Sequence, residues 1–130
     1  MSCDVAIHTK MDIIQTLNWT NSTDDWLVAG GKDRHAIVFS SRTGKQAIKL
    51  DGHSQTIQSA VFSADDKHVF TLSVDRYLII HKLNFKESRS CQVSKIETRH
   101  CVDMALKAST LVSVNKTQAY CYSFKPLQGK

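Results

Sequence analysis

The feature that most constrains this chain is its self-similarity. Asp33 in "WLVAGGKDRHAIVFS" and Asp75 in "HVFTLSVDRYLIIHK" stand 42 residues apart, and the same step again reaches Thr117 in "TLVSVNKTQAYCYSF". Each copy has one outline: an apolar strand, a small-residue corner, a polar turn and a second apolar strand. Upstream, "IIQTLNW" (13–19), "TIQSAVF" (56–62) and "CVDMAL" (101–106) precede the three copies. All three alternate with the period of two that marks a half-buried strand.

A helical reading fails. The apolar positions alternate or run in short blocks filled by β-branched and aromatic residues, and no segment keeps a 3.6-residue spacing for three turns. The pattern predicts about ten to twelve short strands and an all-β fold. With one proline and five glycines, the corners must rely on Asn, Asp, Ser and Lys. The connections after the leading strands read "TNSTDD", "SADDK" and "KAS", so the third hairpin is expected to be the shortest. A repeat of about 42 residues with four strands each has the size of a propeller blade.

Length and composition set the outer bounds. The 130 residues fit one domain with a real core, and 42% hydrophobic with 22% charged residues is an ordinary globular balance. No apolar run approaches the roughly 20 residues of a membrane helix, so no membrane partner is expected. The first residues lack the pattern of a secretory signal, which points to a nuclear or cytoplasmic protein that is not secreted. In that setting Asn18-Trp19-Thr20, Asn21-Ser22-Thr23 and Asn115-Lys116-Thr117 read as chance matches to the glycosylation pattern. Cys3, Cys91, Cys101 and Cys121 read as reduced thiols. A zinc site from Cys91, His100, Cys101 and Cys121 lacks the close Cys pairs such sites use, so neither a metal nor another cofactor is expected. Gly30-Gly31-Lys32 lacks the rest of a phosphate loop and reads as a strand end.

The sequence resembles the WD-repeat family from about Ile13 to Phe124. In the second copy the resemblance rests on Gly52-His53, Ser73, Asp75 and "YLIIHKL", and in the first on Gly31, Asp33 and "AIVFS". It implies consecutive four-stranded antiparallel blades of a β-propeller, here incomplete. The single partial domain over 1–130 would comprise blade 1 at about 11–50, blade 2 at about 51–97 and blade 3 at about 98–125. The resemblance also implies a structural hydrogen-bond network through His53, Ser73 and Asp75, with His81 at the position where the family carries a tryptophan. No copy ends in Trp-Asp: Phe39-Ser40, His81-Lys82 and Ser123-Phe124 stand there. The third copy has Thr117 for the aspartate and Arg99-His100 for Gly-His, and the first has only His8 in the region of a Gly-His. The outer blades are therefore expected to be less rigid.

A competing chemistry would make His53, Ser73 and Asp75 a hydrolytic triad. That needs an exposed serine at a strained turn with oxyanion donors beside it. No Gly-x-Ser-x-Gly occurs and Ser73 lies within an apolar strand, so a non-catalytic protein is expected. Trp19, Trp26, Phe39, Phe62, Phe70 and Tyr77 recur at strand positions and read as packing between blades rather than as a base-stacking platform.

The charge balance, 17 Lys plus Arg against 12 Asp plus Glu, gives +5 and favours acidic partners. Lys32, Arg34, Arg76 and Lys116 flank equivalent turns and would form a basic arc on one face, a candidate partner-binding site for an acidic peptide or a phosphate backbone. The resemblance implies a scaffold that holds other proteins in a multiprotein complex; direct RNA binding by the basic face is the alternative. "LNWTNSTDDWLVAGGKDRHAIVF" with "LDGH" is loosely similar to periodic tryptophan proteins of ribosome assembly and to the splicing-associated U-box ubiquitin ligase, which points to nuclear RNA processing. Closed propellers use four to eight blades, so further blades from a longer chain, or self-association, are expected to complete the ring.

Overall fold

The computed structural model of the protein describes residues 12–22, 25–98, 103–107, 110–114 and 119–123. Lys116, Thr117, His8, Cys3 and the Arg99–His100–Cys101 stretch, all named above, lie outside them. The described residues form eleven strands: β1 Ile14–Trp19, β2 Trp26–Gly31, β3 Ala36–Ser40, β4 Gln46–Leu50, β5 Ile57–Phe62, β6 His68–Ser73, β7 Tyr77–Asn84, β8 Arg89–Glu97, β9 Asp103–Lys107, β10 Thr110–Val114 and β11 Ala119–Ser123. Among these residues no helix is long and apolar enough to cross a membrane.

The strands pair antiparallel with their sequence neighbours, giving sheets β1-β2-β3-β4, β5-β6-β7-β8 and β9-β10-β11. The inner strands explain why such units stack. β6 is buried at every position and β2 and β3 at nearly every one, so both faces of each sheet need cover. Val28, Val38, Ile48 and Leu50 of the first sheet meet Ile57, Phe62, Val69 and Leu83 of the second in one core. On its other face the second sheet sends Phe70, Leu72, Leu78 and Ile80 against Met104 and Leu111 of the third. The outermost strand β8 is mostly exposed and carries Arg89, Lys95 and Glu97, charges that discourage pairing with another chain's edge.

The 42-residue repeat extends to irregularities. The register slips between Val38 and Phe39 in the first sheet and between Ile80 and His81 in the second, one repeat apart. A second pair of slips, one residue off the repeat, falls between Ile14 and Thr16 and between Ile57 and Ser59. Bulges bend and twist a strand locally, so both sheets are deformed at the same step of the third and fourth strands and within one residue of it at the first and second.

Of the aromatic residues read as packing, Phe39, Phe62 and Phe70 are buried, while Trp26 is half-buried with its ring centroid 4.9 Å from that of Phe85. Trp19 departs from the expectation, being 58% exposed. It shares with Leu17 the face of the first sheet turned away from the second, and among the described residues no sheet lies over that face.

Two of the three asparagines of the glycosylation-like pattern, Asn18 and Asn21, hold the first two sheets together. Asn18 Nδ2 donates to the Ala60 carbonyl at 2.7 Å, and Asn21 Nδ2 donates to the Ser63 carbonyl at 2.8 Å and to Asp66 Oδ1. The backbone amides of Asn21 and Ser22 add bonds to the Asp66 carboxylate at 2.7 and 2.8 Å. The amide nitrogen a glycan would need is thus spent on the neighbouring sheet. Asp66 has φ 58°, a conformation asparagine also tolerates. Asp66→Ala should therefore cost about 1–3 kcal/mol by orphaning these donors, while Asp66→Asn, which keeps an acceptor, should cost less. Urea denaturation of the two variants against the parent chain measures the difference.

Candidate functional site

The polar corner of the second sheet is built around the turn joining β6 to β7. Asp75 projects into it, and its two oxygens accept the backbone N–H groups of Ser54 and Tyr77, both at 2.9 Å. His53 Nδ1 lies 3.1 Å from Asp75 Oδ2, with both side chains buried. Gly52 reaches this point with φ 129°, and a Cβ there would press on Ile79 at 2.9 Å, so glycine before His53 is a steric requirement.

From the imidazole the chain of contacts runs inward. His53 Nε2 is 2.7 Å from Thr71 Oγ1, which is 3.0 Å from His81 Nε2. One set of proton positions satisfies every member: His81 Nε2–H donates to Thr71, the Thr71 hydroxyl donates to His53 Nε2, and His53 Nδ1–H donates to Asp75. Thr71 is fully buried and His81 is 1% exposed, so the network is enclosed.

The hydroxyl expected in this chain was that of Ser73, and here the reading is corrected. Ser73 Oγ contacts the Thr56 and Gln55 carbonyls at 2.8 and 3.1 Å and accepts the Asp75 amide at 3.2 Å. It fastens the turn, whereas Thr71, two residues earlier on the same face, meets the imidazole. The same geometry answers the triad idea: the Ser73 hydroxyl is engaged with backbone carbonyls, and His53 presents its second nitrogen to a buried threonine.

The electrostatics follow from enclosure. Burial pulls the His81 pKa down from 6.5 to about 4, with nearby His53 adding to the effect. Burial likewise lowers that of His53, although Asp75 opposes the shift. Burial alone would raise Asp75, but the Ser54 and Tyr77 amides and His53 outweigh it, and its pKa is lowered. Both histidines are neutral at pH 7, as the proton assignment requires.

The first sheet solves the same corner differently. Asp33 Oδ2 accepts the Asp12 amide at 2.8 Å, the repeat-equivalent of the Asp75–Ser54 bond. One repeat before Thr71 and His81 stand Ala29 and Phe39, both buried and packed with Ile37. The 42-residue step in the sequence relates Met11 to His53, and both Met11 and His8 lie outside the described residues. Where the second sheet uses a polar relay, the first uses apolar side chains and keeps the aspartate.

At the mouth of these turns the cations are displayed. Lys32, Arg34 and Arg76 are exposed, and among the described residues none of the three is ion-paired. Arg34 and Arg76 occupy equivalent places with φ 67° and 75°. Beside Arg76, the Lys95 ammonium lies 4.4 Å from the centre of the Tyr77 ring. Lys116, the fourth residue expected in the arc, is outside the described residues. Of the thiols considered for zinc, Cys91 is exposed, and among the described residues no cluster of three His, Cys, Asp or Glu could hold a metal ion.

The fold is that of consecutive antiparallel blades of a WD-repeat β-propeller, present as an incomplete set. Two solved structures carry the likeness. The crystal structure of Saccharomyces cerevisiae Sqt1 superposes with a TM-score of 0.74 at 17% identity, over 89% of this chain and 33% of that one. A chain of the mitotic checkpoint complex gives a TM-score of 0.76 at 16% identity, over 85% of this chain and 36% of that one. Among curated proteins, the human kinesin-like protein KIF21A is 29% identical over 86 residues, which is 66% of this chain and 5% of that protein. No protein-family model matches the chain. It spans about a third of the chains it superposes on and a small part of the curated relative.

Thr71→Ala alone should lower stability by about 1–3 kcal/mol, because it strands two buried imidazoles. The triple change His53→Met, Thr71→Ala, His81→Phe, which copies the first sheet, should cost less than the single one despite being larger. The same variants test the pH dependence. Unfolded His81 takes a proton near 6.5 and the folded residue only near 4, so the parent should lose up to about 3 kcal/mol as pH falls across that window. The triple variant should lack most of that loss; thermal melts between about pH 7.5 and 4.5 provide the comparison.

Proposed function

We propose that this chain is part of a non-catalytic interaction scaffold whose β6–β7 turn and its repeat-equivalent present cations to a protein partner. The observation that carries this reading is the matched pair of arginines. A bulky residue at positive φ is uncommon, yet Arg34 and Arg76 both adopt it at equivalent corners. The corner's polar groups are consumed internally by Asp75, Thr71 and the histidines, so what it offers outward is guanidinium and ammonium.

The proposed partners are other proteins of a multiprotein complex, with acidic segments as the chemistry that suits Lys32, Arg34, Arg76 and Lys116. The likeness to a chain of the mitotic checkpoint complex supports protein partners in kind. The proposed setting is nuclear RNA processing or ribosome assembly, in the nucleus or cytoplasm, supported by the net charge of +5 and by the motif resemblance. Completion of the ring by further blades of a longer chain, or by self-association, belongs to the same proposal.

Contact with RNA phosphates through the same cations is the second reading, favoured by the fit of guanidinium forks to phosphate. Binding of a fluorescent polyglutamate peptide and of a structured RNA, each across a salt series, separates the two. Lys32→Glu, Arg34→Glu and Arg76→Glu together should weaken the salt-dependent peptide binding. Retained affinity would refute the arc; a steep salt slope for RNA alone would favour the second reading.

A further inference from the structure

At the end of the second sheet opposite Asp75, the β5–β6 and β7–β8 turns border an open cavity of about 630 Å³. Its lining includes Lys67, Lys82, Lys86 and Arg89, and no acidic side chain contributes to it. Leu83 and Phe85 supply apolar lining. Leu83 is fixed in the core shared with the first sheet, and the Phe85 ring lies against Trp26 of that sheet. The apolar part of the cavity is therefore held in place by the packing between blades.

The carboxylates nearby are already engaged. Asp65 accepts the Ser63 hydroxyl and the Lys67 amide, and Glu87 pairs with the Arg89 guanidinium at the rim. That leaves Lys67, Lys82 and Lys86, among the described residues, with no ion-pair partner. Three lysines lining a partly apolar hollow suit a ligand that is anionic outside and apolar at one point. The hollow is of a size that admits a whole side chain. Nucleic acid suits it less: the one arginine is held by Glu87, and the Phe85 ring on which a base could stack is already covered in part by Trp26.

We propose that this cavity is a docking site for an acidic peptide segment, which inserts one aromatic or aliphatic side chain beside Leu83 and Phe85 and sets its carboxylates against Lys67, Lys82 and Lys86. The site is distinct from the arginine turns, which lie at the other end of the sheet, and it stands whether or not those turns bind a partner. Attraction at the rim is screened by salt, whereas the inserted side chain is not, so binding weakens with ionic strength without vanishing.

The test uses a short synthetic peptide of glutamates flanking one phenylalanine, followed by fluorescence anisotropy on the full chain. Lys82→Glu with Lys86→Glu should weaken binding by about tenfold or more, and so should replacing the peptide's phenylalanine with serine. In an Arg34→Glu, Arg76→Glu background, which removes any contribution of the arginine turns, the loss caused by replacing the phenylalanine should persist. Bound peptide should also slow alkylation of the exposed Cys91 thiol, which lines the cavity, as read by mass mapping of that residue. Circular dichroism and a thermal melt of each variant confirm an intact fold before affinities are compared. Equal affinity in the Lys82/Lys86 variant, indifference to the phenylalanine, or disappearance of the phenylalanine's effect in the Arg34/Arg76 background would each overturn the proposal. Competition by a structured RNA with no effect of the phenylalanine would overturn it in favour of nucleic acid.

Discussion

Everything in this structure depends on strands that have no wet side. The central strands of the first two sheets bury both faces, so a sheet of this composition is not stable by itself and must be covered front and back. The core between the first and second sheets and the core between the second and third are two instances of that demand. Stacking in this way uses contacts mostly between neighbours in sequence, which is why a modest repeat can specify an extended architecture.

The polar groups act as registration devices on that apolar base. Asn18 and Asn21 bond to carbonyls and a carboxylate of the next sheet, and Ser73 and Asp75 hold a turn to the approaching loop. Comparing the two corners separates what is obligatory from what is interchangeable. The aspartate accepting a backbone amide occurs in both, whereas the interior positions are His53, Thr71 and His81 in one and include Ala29 and Phe39 in the other. A buried position tolerates either chemistry when all its neighbours agree; mixed occupancy leaves a donor or acceptor stranded.

The strands and their grouping were legible in the sequence because alternation and the 42-residue step are properties of position alone. The His53–Asp75 contact was legible because glycine and aspartate mark corners by their conformational preferences. The choice between Thr71 and Ser73 was not, since two hydroxyls two residues apart face the same way and only the depth of the imidazole decides which it meets. The role of Asn18 and Asn21 was hidden because their acceptors lie 42 residues on in another sheet. The basic cavity was hidden for a related reason: Lys67, the Lys82–Lys86 stretch and Arg89 come together only when two hairpin ends converge. Trp19 was misread because alternation reveals that a face is apolar but not whether anything sits on it.

The paired bulges bear on shape at a larger scale. A strand kinked at the same step in successive sheets gives each sheet the same local deformation. A module that repeats its own irregularity offers each neighbour the same contour, so one mode of packing can serve at successive junctions.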